Sequence, residues 1–550
     1  MATSGSIPIE ILFTSSRPGK KFTLRPEPRS PIPFQWVHVG ARTIPHSLAD
    51  TLCSTMTSQA LLSTLNDVLG TDDRLYDRGV RECLEHFVHS EMDFGQAYGC
   101  LRHFLCWDKL NTLLKEKREE DEHMRGRAIS GAHIANARVP PRRVWDLCSN
   151  RVLPYYVLHK TCGEHIRTVS HSWAPPSARQ LVDTPVNGRE WPVPIPQDTS
   201  LEHIRIELLN LGAEYVWLDV LCLRQHGRPE DEARRLAEWR LDVPTIGRIY
   251  SCGNTCITYF NGLGRPFDAS PDALASPCHW LQRVWTVQET TERWLPAGTT
   301  GSAYDAARAF FREHLPRAIP DTQTGALGAV VHAIRTRSCT TELDRVHGLA
   351  YVLGCATLPV YEEGMPPARA WVALLKHLYP SARAMVAWMH ICQCPESTAL
   401  LPSWEEFMRC GSPPPTDTLI WAPELHLVDE ACLGTEELGV YFQRTVQVGT
   451  LSMIANPGQD TLVFKRMPPL FAASRVVDKS SNYHAAGVFR TDVTYMVLEL
   501  REDVYVIAEA IGESSLGSET VLEVSKRGSI RFSSHESFRD FRMVTVIYYE

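Results

Sequence analysis

Lysine is scarce in this chain: ten in 550 residues, and none between Lys160 and Lys376. That span cannot supply a Walker lysine, a Schiff-base lysine or a kinase-type phosphate lysine. The single Gly-Lys step, Gly19-Lys20, is followed by Lys21 rather than Ser or Thr, so there is no P-loop. GxSxG and HExxH are also absent, which removes two common hydrolase signatures. No apolar run reaches the roughly 20 residues of a membrane span. The short stretch IEILF follows no basic segment, so no signal peptide is expected. Asn-x-Ser/Thr does not occur, and the 16 cysteines form no paired framework. A basic surplus is missing too, Lys+Arg 56 facing Asp+Glu 64 for a net charge of −8, which makes nucleic acid a poor partner. These absences predict a cytoplasmic protein with free thiols, no membrane and no nucleic acid.

What is present is an ordinary globular composition, 44% hydrophobic and 22% charged, in a chain long enough for roughly three to four domains. Residues 1–145 begin with a loosely ordered Pro-, Ser- and Arg-rich segment and then turn helical, ending in the charged run KEKREEDEHMR, the solvated end of a helix. Residues 146–300 alternate. IRTVSHSW (166–173), EYVWLDVL (214–221) and TCITYF (255–260) read as strands. DTSLEHIRIELLNLG, 230–242 and HWLQRVWTVQETTERW (279–294) read as helices, the first capped by Thr199 with Glu202 and stopped by Gly212. The alternation predicts an α/β fold around a parallel, doubly wound sheet. Residues 301–410 return to helix. Residues 411–550 carry β-rich segments with no helices between them, which predicts a mostly antiparallel C-terminal β domain.

Three segments of the α/β region carry the chemistry: VSHSW (169–173), YVWLDVLCLRQ (215–225) and RVWTVQE (283–289). In an open parallel sheet, ligands bind beyond the carboxyl ends of the strands. Ser170, His171 and Trp173 close the first strand there, and Asp219 lies near the end of the second. On a helix over 279–294, Gln282, Trp285, Glu289 and Arg293 share one face, with Trp280, Val284, Val287 and Thr291 on another.

In this order and spacing, the three segments resemble the markers of the fungal heterokaryon-incompatibility (HET) domain family. Ser170-His171-Ser172-Trp173-Ala174 matches its Ser-Tyr/His-x-Trp-Gly element, with Ala174 in place of the usual Gly. Trp217 to Gln225 matches Trp-x-Asp-x-Leu-Cys-x-x-Gln, and Trp285 to Glu289 matches Trp-Thr-x-Gln-Glu. The stretch NGREWPVPIPQDTSLEHIRIELLNLGAEYVWLDVLCLRQ is similar to mushroom-type members, and RTRSCTTELDRVHGLAYVLG resembles a segment that often follows the domain.

The resemblance implies an effector of non-self recognition that ends in programmed cell death of fused fungal cells. Its implied partners are other incompatibility or signalling proteins, or further copies of itself. It also implies a Rossmann-like module remotely similar to Toll/interleukin-receptor (TIR) domains, with helical flanking regions. Plant TIR domains carry a Trp-Cys-x-x-Glu-like element whose Glu serves in NAD cleavage, and Trp285 and Glu289 have the same spacing. By this fold-level analogy NAD is a substrate and no cofactor is bound permanently. Glu289 would stabilise an oxocarbenium-like ribosyl cation, with Asp219 the second candidate for a catalytic role. Trp285 would help form the nucleotide pocket, and Ser170, His171 and Trp173 would line its opposite side. Arg293 would keep Glu289 ionised.

Each residue also has a plainer reading. Glu289 and Arg293 are spaced as a surface ion pair. Trp173, Trp217 and Trp285 read as core aromatics, and Asp219 as a cap for a following helix. The module is then a non-enzymatic signalling or self-association domain. Ser170 and His171 are adjacent on a strand and point to opposite faces, so no Ser–His pair is expected. Cys222 reads as a buried thiol. His390, Cys392 and Cys394 lack a second paired arm, and no metal is assigned to them. Gly262-Leu263-Gly264 has Phe267 where a dinucleotide fingerprint needs its third glycine. What separates enzyme from non-enzyme is whether Glu289 faces an open crevice with Asp219 and His171.

Overall fold

The computed structural model describes residues 19–300 apart from 74–77, 104–109, 159–165, 253–254 and 290–292. It also describes a few helical positions between 307 and 313, most of 327–409, and chiefly strands between 425 and 548. The chain divides into two compact units: residues 1–319, 336–351 and 358–364, and residues 320–335, 352–357 and 365–550.

The first unit is built on six strands: β1 (Arg143–Asp146), β2 (Arg151–Pro154), β3 (Ile166–His171), β4 (Tyr215–Leu218), β5 (Cys256–Tyr259) and β6 (Trp294–Pro296). Their spatial order is β6-β5-β3-β4-β1-β2. β3, β4, β5 and β6 pair in parallel, with Arg167 opposite Val216 and Val169 opposite Ile257. The β1–β2 hairpin adds antiparallel strands beyond β4. The sheet is therefore mostly parallel, as an α/β fold requires. Every residue of β4 and β5 is buried, the pattern of strands covered on both faces. From β3 the chain goes to β4 on one side and then to β5 on the other. That reversal creates a crevice at the carboxyl end of β3, where such sheets bind ligands.

Helices α1 (Ser58–Leu69), α2 (Arg78–Val88), α3 (Phe94–Leu101) and α4 (Leu110–Ala128) precede the sheet. On α3, a Cβ on Gly99 would meet Ser149 Oγ at 2.9 Å and Leu153 Cδ1 at 3.0 Å, so the missing side chain lets the helix lie close to the β1–β2 hairpin. The described part of the N-terminal segment, from residue 19 on, is more ordered than its composition suggests: Lys21–Leu24 pairs with His38–Ala41, and Gln35 donates to buried Glu207 at 2.7 Å; residues 1–18 lie outside the described residues.

α5 (Leu201–Asn210) leads into β4, and α6 (Glu232–Asp242) and α7 (Ile246–Cys252) lead from β4 to β5. The cap of α5 is Ser200, whose hydroxyl accepts from His203 N at 3.2 Å, one residue later than expected. The Thr199 hydroxyl turns back to the Pro196 carbonyl instead. Gly212, at φ +80°, follows the end of α5 as expected. The proline-rich connection before α5 holds a small hairpin, Arg179–Val182 against Val193–Pro196.

The expected helix over 279–294 does not form. Trp280–Gln282 and Trp285–Val287 are separate 3₁₀ turns. Val284, Thr286 and Val287 are β-branched and suit a helix poorly, and Ser338 takes the backbone bonds instead. Its carbonyl accepts from Val284 N at 3.0 Å and its own N donates to the Gln282 carbonyl at 2.5 Å. Of the residues expected to share the second face, Trp280, Val284 and Val287 are all buried, and Thr291 lies outside the described residues.

In the second unit, helices Pro367–His377, Pro380–Gln393 and Trp404–Arg409 accompany a nine-stranded sheet. The segments read as β-rich form Thr494–Arg501, Val504–Leu516, Glu519–Phe532 and Arg542–Tyr548. Their ladders are antiparallel except for the last two strands, where Leu522 lies opposite Val546 in parallel. Cys394 is disulfide-bonded, an exception to the expected free thiols that also removes it as a thiolate ligand. Among the described residues no group of three His, Cys, Asp or Glu side chains could hold a metal ion, and no helix is long and apolar enough to cross a membrane.

Candidate functional site

The carboxyl end of β3 delivers Ser170 and His171, and Asp219 is the first residue beyond β4. Asp219 accepts three hydrogen bonds: from His171 Nε2 at 2.7 Å, Trp173 Nε1 at 3.0 Å and Val220 N at 2.7 Å. Burial alone would raise its pKa. The His171 charge and these donors outweigh that and hold it below the ordinary carboxylate value. His171 meets an acceptor on each side, the Asp219 carboxylate at Nε2 and the Ser172 carbonyl at Nδ1, 3.2 Å away. A ring with acceptors at both nitrogens is fully satisfied only as the imidazolium. Burial opposes that charge, but the partners prevail and raise the His171 pKa. Gln225 ties the turn after β4 by donating to the carbonyls of Asp219 and Leu223. Asp219 therefore serves its own turn and also joins β4 to β3.

The second carboxylate arrives from the 3₁₀ segment. Ser170 Oγ donates to Glu289 Oε2 at 2.5 Å and accepts the Trp280 indole N–H at 2.6 Å. Trp280 is fixed from behind by Phe260, edge to face with ring centroids 5.4 Å apart. Burial, with the Asp219 charge beside it, pushes the Glu289 carboxyl up to about 7 against the opposing effects of Ser170, His171 and Arg283. This corrects one expectation. Glu289 follows a 3₁₀ turn and not a helical one, and the cations acting on its carboxyl are His171 and Arg283. Ser170 and His171 turn to different carboxylates, in line with the absence of a Ser–His pair.

Glu289, Asp219 and His171 line one crevice of about 300 Å³, within the size range of small-ligand pockets. Trp173, Trp217, Trp239, Tyr250, Trp285 and Tyr361 give it aromatic walls, and Arg179 and Arg283 add positive charge. Trp217 is also a core residue, packed edge to face on Tyr250. Trp173 and Trp285 stay partly exposed to the crevice. Cys222 is buried, as expected, and burial pushes its thiol up to about 12.

The rest of the wall comes from beyond the α/β region. Thr340, Thr341 and Asp344 line the crevice from the start of α8 (Glu342–Val352) and the turn before it, and Tyr361 and Glu363 complete it. Asp344 accepts from Thr341 N at 3.1 Å and takes the Trp285 side chain as a further donor. Sequence reasoning missed Tyr250, Arg283 and Asp344 as site residues. For Asp344 a signal existed: it sits three residues after Thr341, the spacing of a capped helix start, inside a segment already similar to one that follows HET domains. No known family profile, characterised protein or solved structure matches the chain.

Proposed function

We propose that this chain is a HET-type effector with a TIR-like α/β module, acting in non-self recognition and cell death by hydrolysing the nicotinamide–ribose bond of NAD. The observation that carries the reading is Glu289 held by Ser170 inside an aromatic-walled crevice that also contains Asp219 and His171. The three motifs that resemble the HET family thus meet at one place. The parallel strands, taken in chain order from β3, lie 2-1-3-4 across the sheet, an order whose switch point is a customary nucleotide site.

The chemistry follows from that geometry. As the C–N bond breaks, nicotinamide leaves with the electron pair and the ribosyl group becomes an oxocarbenium-like cation, which the Glu289 carboxylate stabilises. Water then attacks the anomeric carbon. The products are nicotinamide, ADP-ribose and a proton, which Glu289 can accept. With a pKa of about 7 Glu289 is part-protonated near neutral pH. The positive pyridinium ring of NAD, placed beside it, favours the carboxylate. Asp219, occupied by three donors, is a positioning residue for His171 and Trp173.

The test is NAD consumption by the full chain, alone and artificially clustered, with Glu289→Ala and Glu289→Gln. Turnover lost in both variants with the fold intact supports the hydrolase. Absence of turnover in every assembly state overturns it and leaves a signalling or self-association module.

A further inference from the structure

The crevice carries two guanidinium groups, of which only Arg283 bears on Glu289, and that through its charge alone. Arg179 and Arg283 both line it. Arg179 stacks on Trp173, 5.0 Å from the ring centre, and its Nε is buried without a hydrogen-bond partner. Arg283 Nη2 donates to Thr340 Oγ1 at 3.3 Å. Neither arginine makes an ion pair within 4 Å among the described residues; Glu289 and Asp344 feel Arg283 only at longer range. Burial and the neighbouring Arg283 charge together weaken the hold of Arg179 on its proton. Two cations that line one cavity, close enough for the Arg283 charge to act on Arg179, offer an anion site, and the guanidinium fork matches phosphoryl oxygens.

We propose that Arg179 and Arg283 clamp the diphosphate of a nucleotide ligand while Trp173 braces the first guanidinium. The inference rests on the crevice being a nucleotide site, as proposed above, and not on bond cleavage. It gives the cavity a polarity, with anionic phosphates at the arginines and the sugar toward Glu289.

The experiment is calorimetric titration of the full chain with ADP-ribose, inorganic pyrophosphate and adenosine, comparing wild type with Arg179→Gln and Arg283→Gln. ADP-ribose affinity should fall about tenfold for each charge removed, weaken with added salt, and recover in part with Arg179→Lys and Arg283→Lys. Pyrophosphate should follow the same order, and adenosine binding should not respond to either change. Unchanged ADP-ribose affinity in both Gln variants, or no binding of ADP-ribose to wild type at millimolar concentration, overturns the clamp. A chain that binds ADP-ribose through both arginines yet cleaves no NAD keeps the clamp and sinks the hydrolase. One that cleaves NAD with an unchanged KM in both Gln variants does the reverse.

Discussion

The Ser170 hydroxyl stands between the Trp280 indole and the Glu289 carboxylate, accepting from one at 2.6 Å and donating to the other at 2.5 Å. Because the indole supplies its only hydrogen to Ser170, the hydroxyl proton is aimed at Glu289. A residue at the end of a central strand thus fixes a carboxylate carried by an irregular segment more than 100 positions later. The consequences for charge and stability can be measured.

The first concerns pH. The proposed chemistry needs Glu289 ionised, and burial pushes its pKa up to about 7. In the free enzyme kcat/KM should rise about tenfold per pH unit below that value and level off above it. The kcat profile should bend at lower pH, because bound NAD places a positive ring beside the carboxylate. A kcat/KM profile flat between pH 5.5 and 8 would remove Glu289 from the mechanism. Stability runs the opposite way. Since the folded pKa lies above the ordinary 4.5, the folded state holds the extra proton between these values, and stability falls as pH rises from about 4.5 through 7. Glu289→Gln should abolish that part of the fall in urea titrations at pH 5 and pH 8.

Ser170→Ala removes the hydroxyl from both partners. The Trp280 N–H is left buried without its acceptor, at a cost of about 1–3 kcal/mol. Glu289 also loses a donor that stabilises its ionised form, so its pKa climbs further. The kcat/KM profile should shift to higher pH, with the greatest loss of activity on the acid side. An unshifted profile would show that the Ser170 contact does not set the charge on Glu289.

His171 gives a third test, independent of activity. Asp219 and the Ser172 carbonyl favour its imidazolium, so its ring should titrate above 6.5 by NMR. Asp219→Asn removes the charge, and the same resonance should titrate below 6.5 because burial then dominates. The His171 contribution to stability is fully present below the unfolded-state value of 6.5 and is lost as pH rises through the raised folded one, whereas that of Asp219 is lost as pH falls through its lowered one. A His171 pKa equal in both proteins would mean that the ion pair does not govern this ring.

How much of this was legible in the sequence depends on the kind of signal. β3, β4 and β5 were legible because buried parallel strands read as short apolar runs, and β4, YVWL, is buried at every position. The convergence of Ser170, His171 and Asp219 followed from strand ends alone. The path of the chain around Glu289 was not legible. Spacing over 279–294 suggested a helix, whereas a distant residue, Ser338, captured the backbone groups of Gln282 and Val284, and no local pattern reveals that competition. The roles of Arg283 and Asp344 depended on the same tertiary link, since the segment carrying Asp344 is brought to the crevice by it.

That link leads to the last prediction. Thr286 is buried within the second 3₁₀ turn, where its hydroxyl reaches the carbonyls of Trp280 at 2.8 Å and Arg283 at 2.7 Å and accepts from Arg337 Nη1 at 3.0 Å. It joins the Glu289 segment to residues 337–338, where Ser338 forms an isolated bridge with Arg283. Thr286→Val keeps the volume but leaves a buried guanidinium N–H without this acceptor, which should cost about 2 kcal/mol in urea unfolding. Thr286→Ser keeps the hydroxyl and loses one methyl, about 0.8 kcal/mol. If the hydroxyl sets the turn, the Val variant should also lose catalytic activity beyond its loss of stability, because Trp285 and Glu289 flank the turn and move with it. The Ser variant should retain activity. Equal effects of Val and Ser would mean that packing of the methyl, and not this hydrogen-bonded junction, places Glu289 at the crevice.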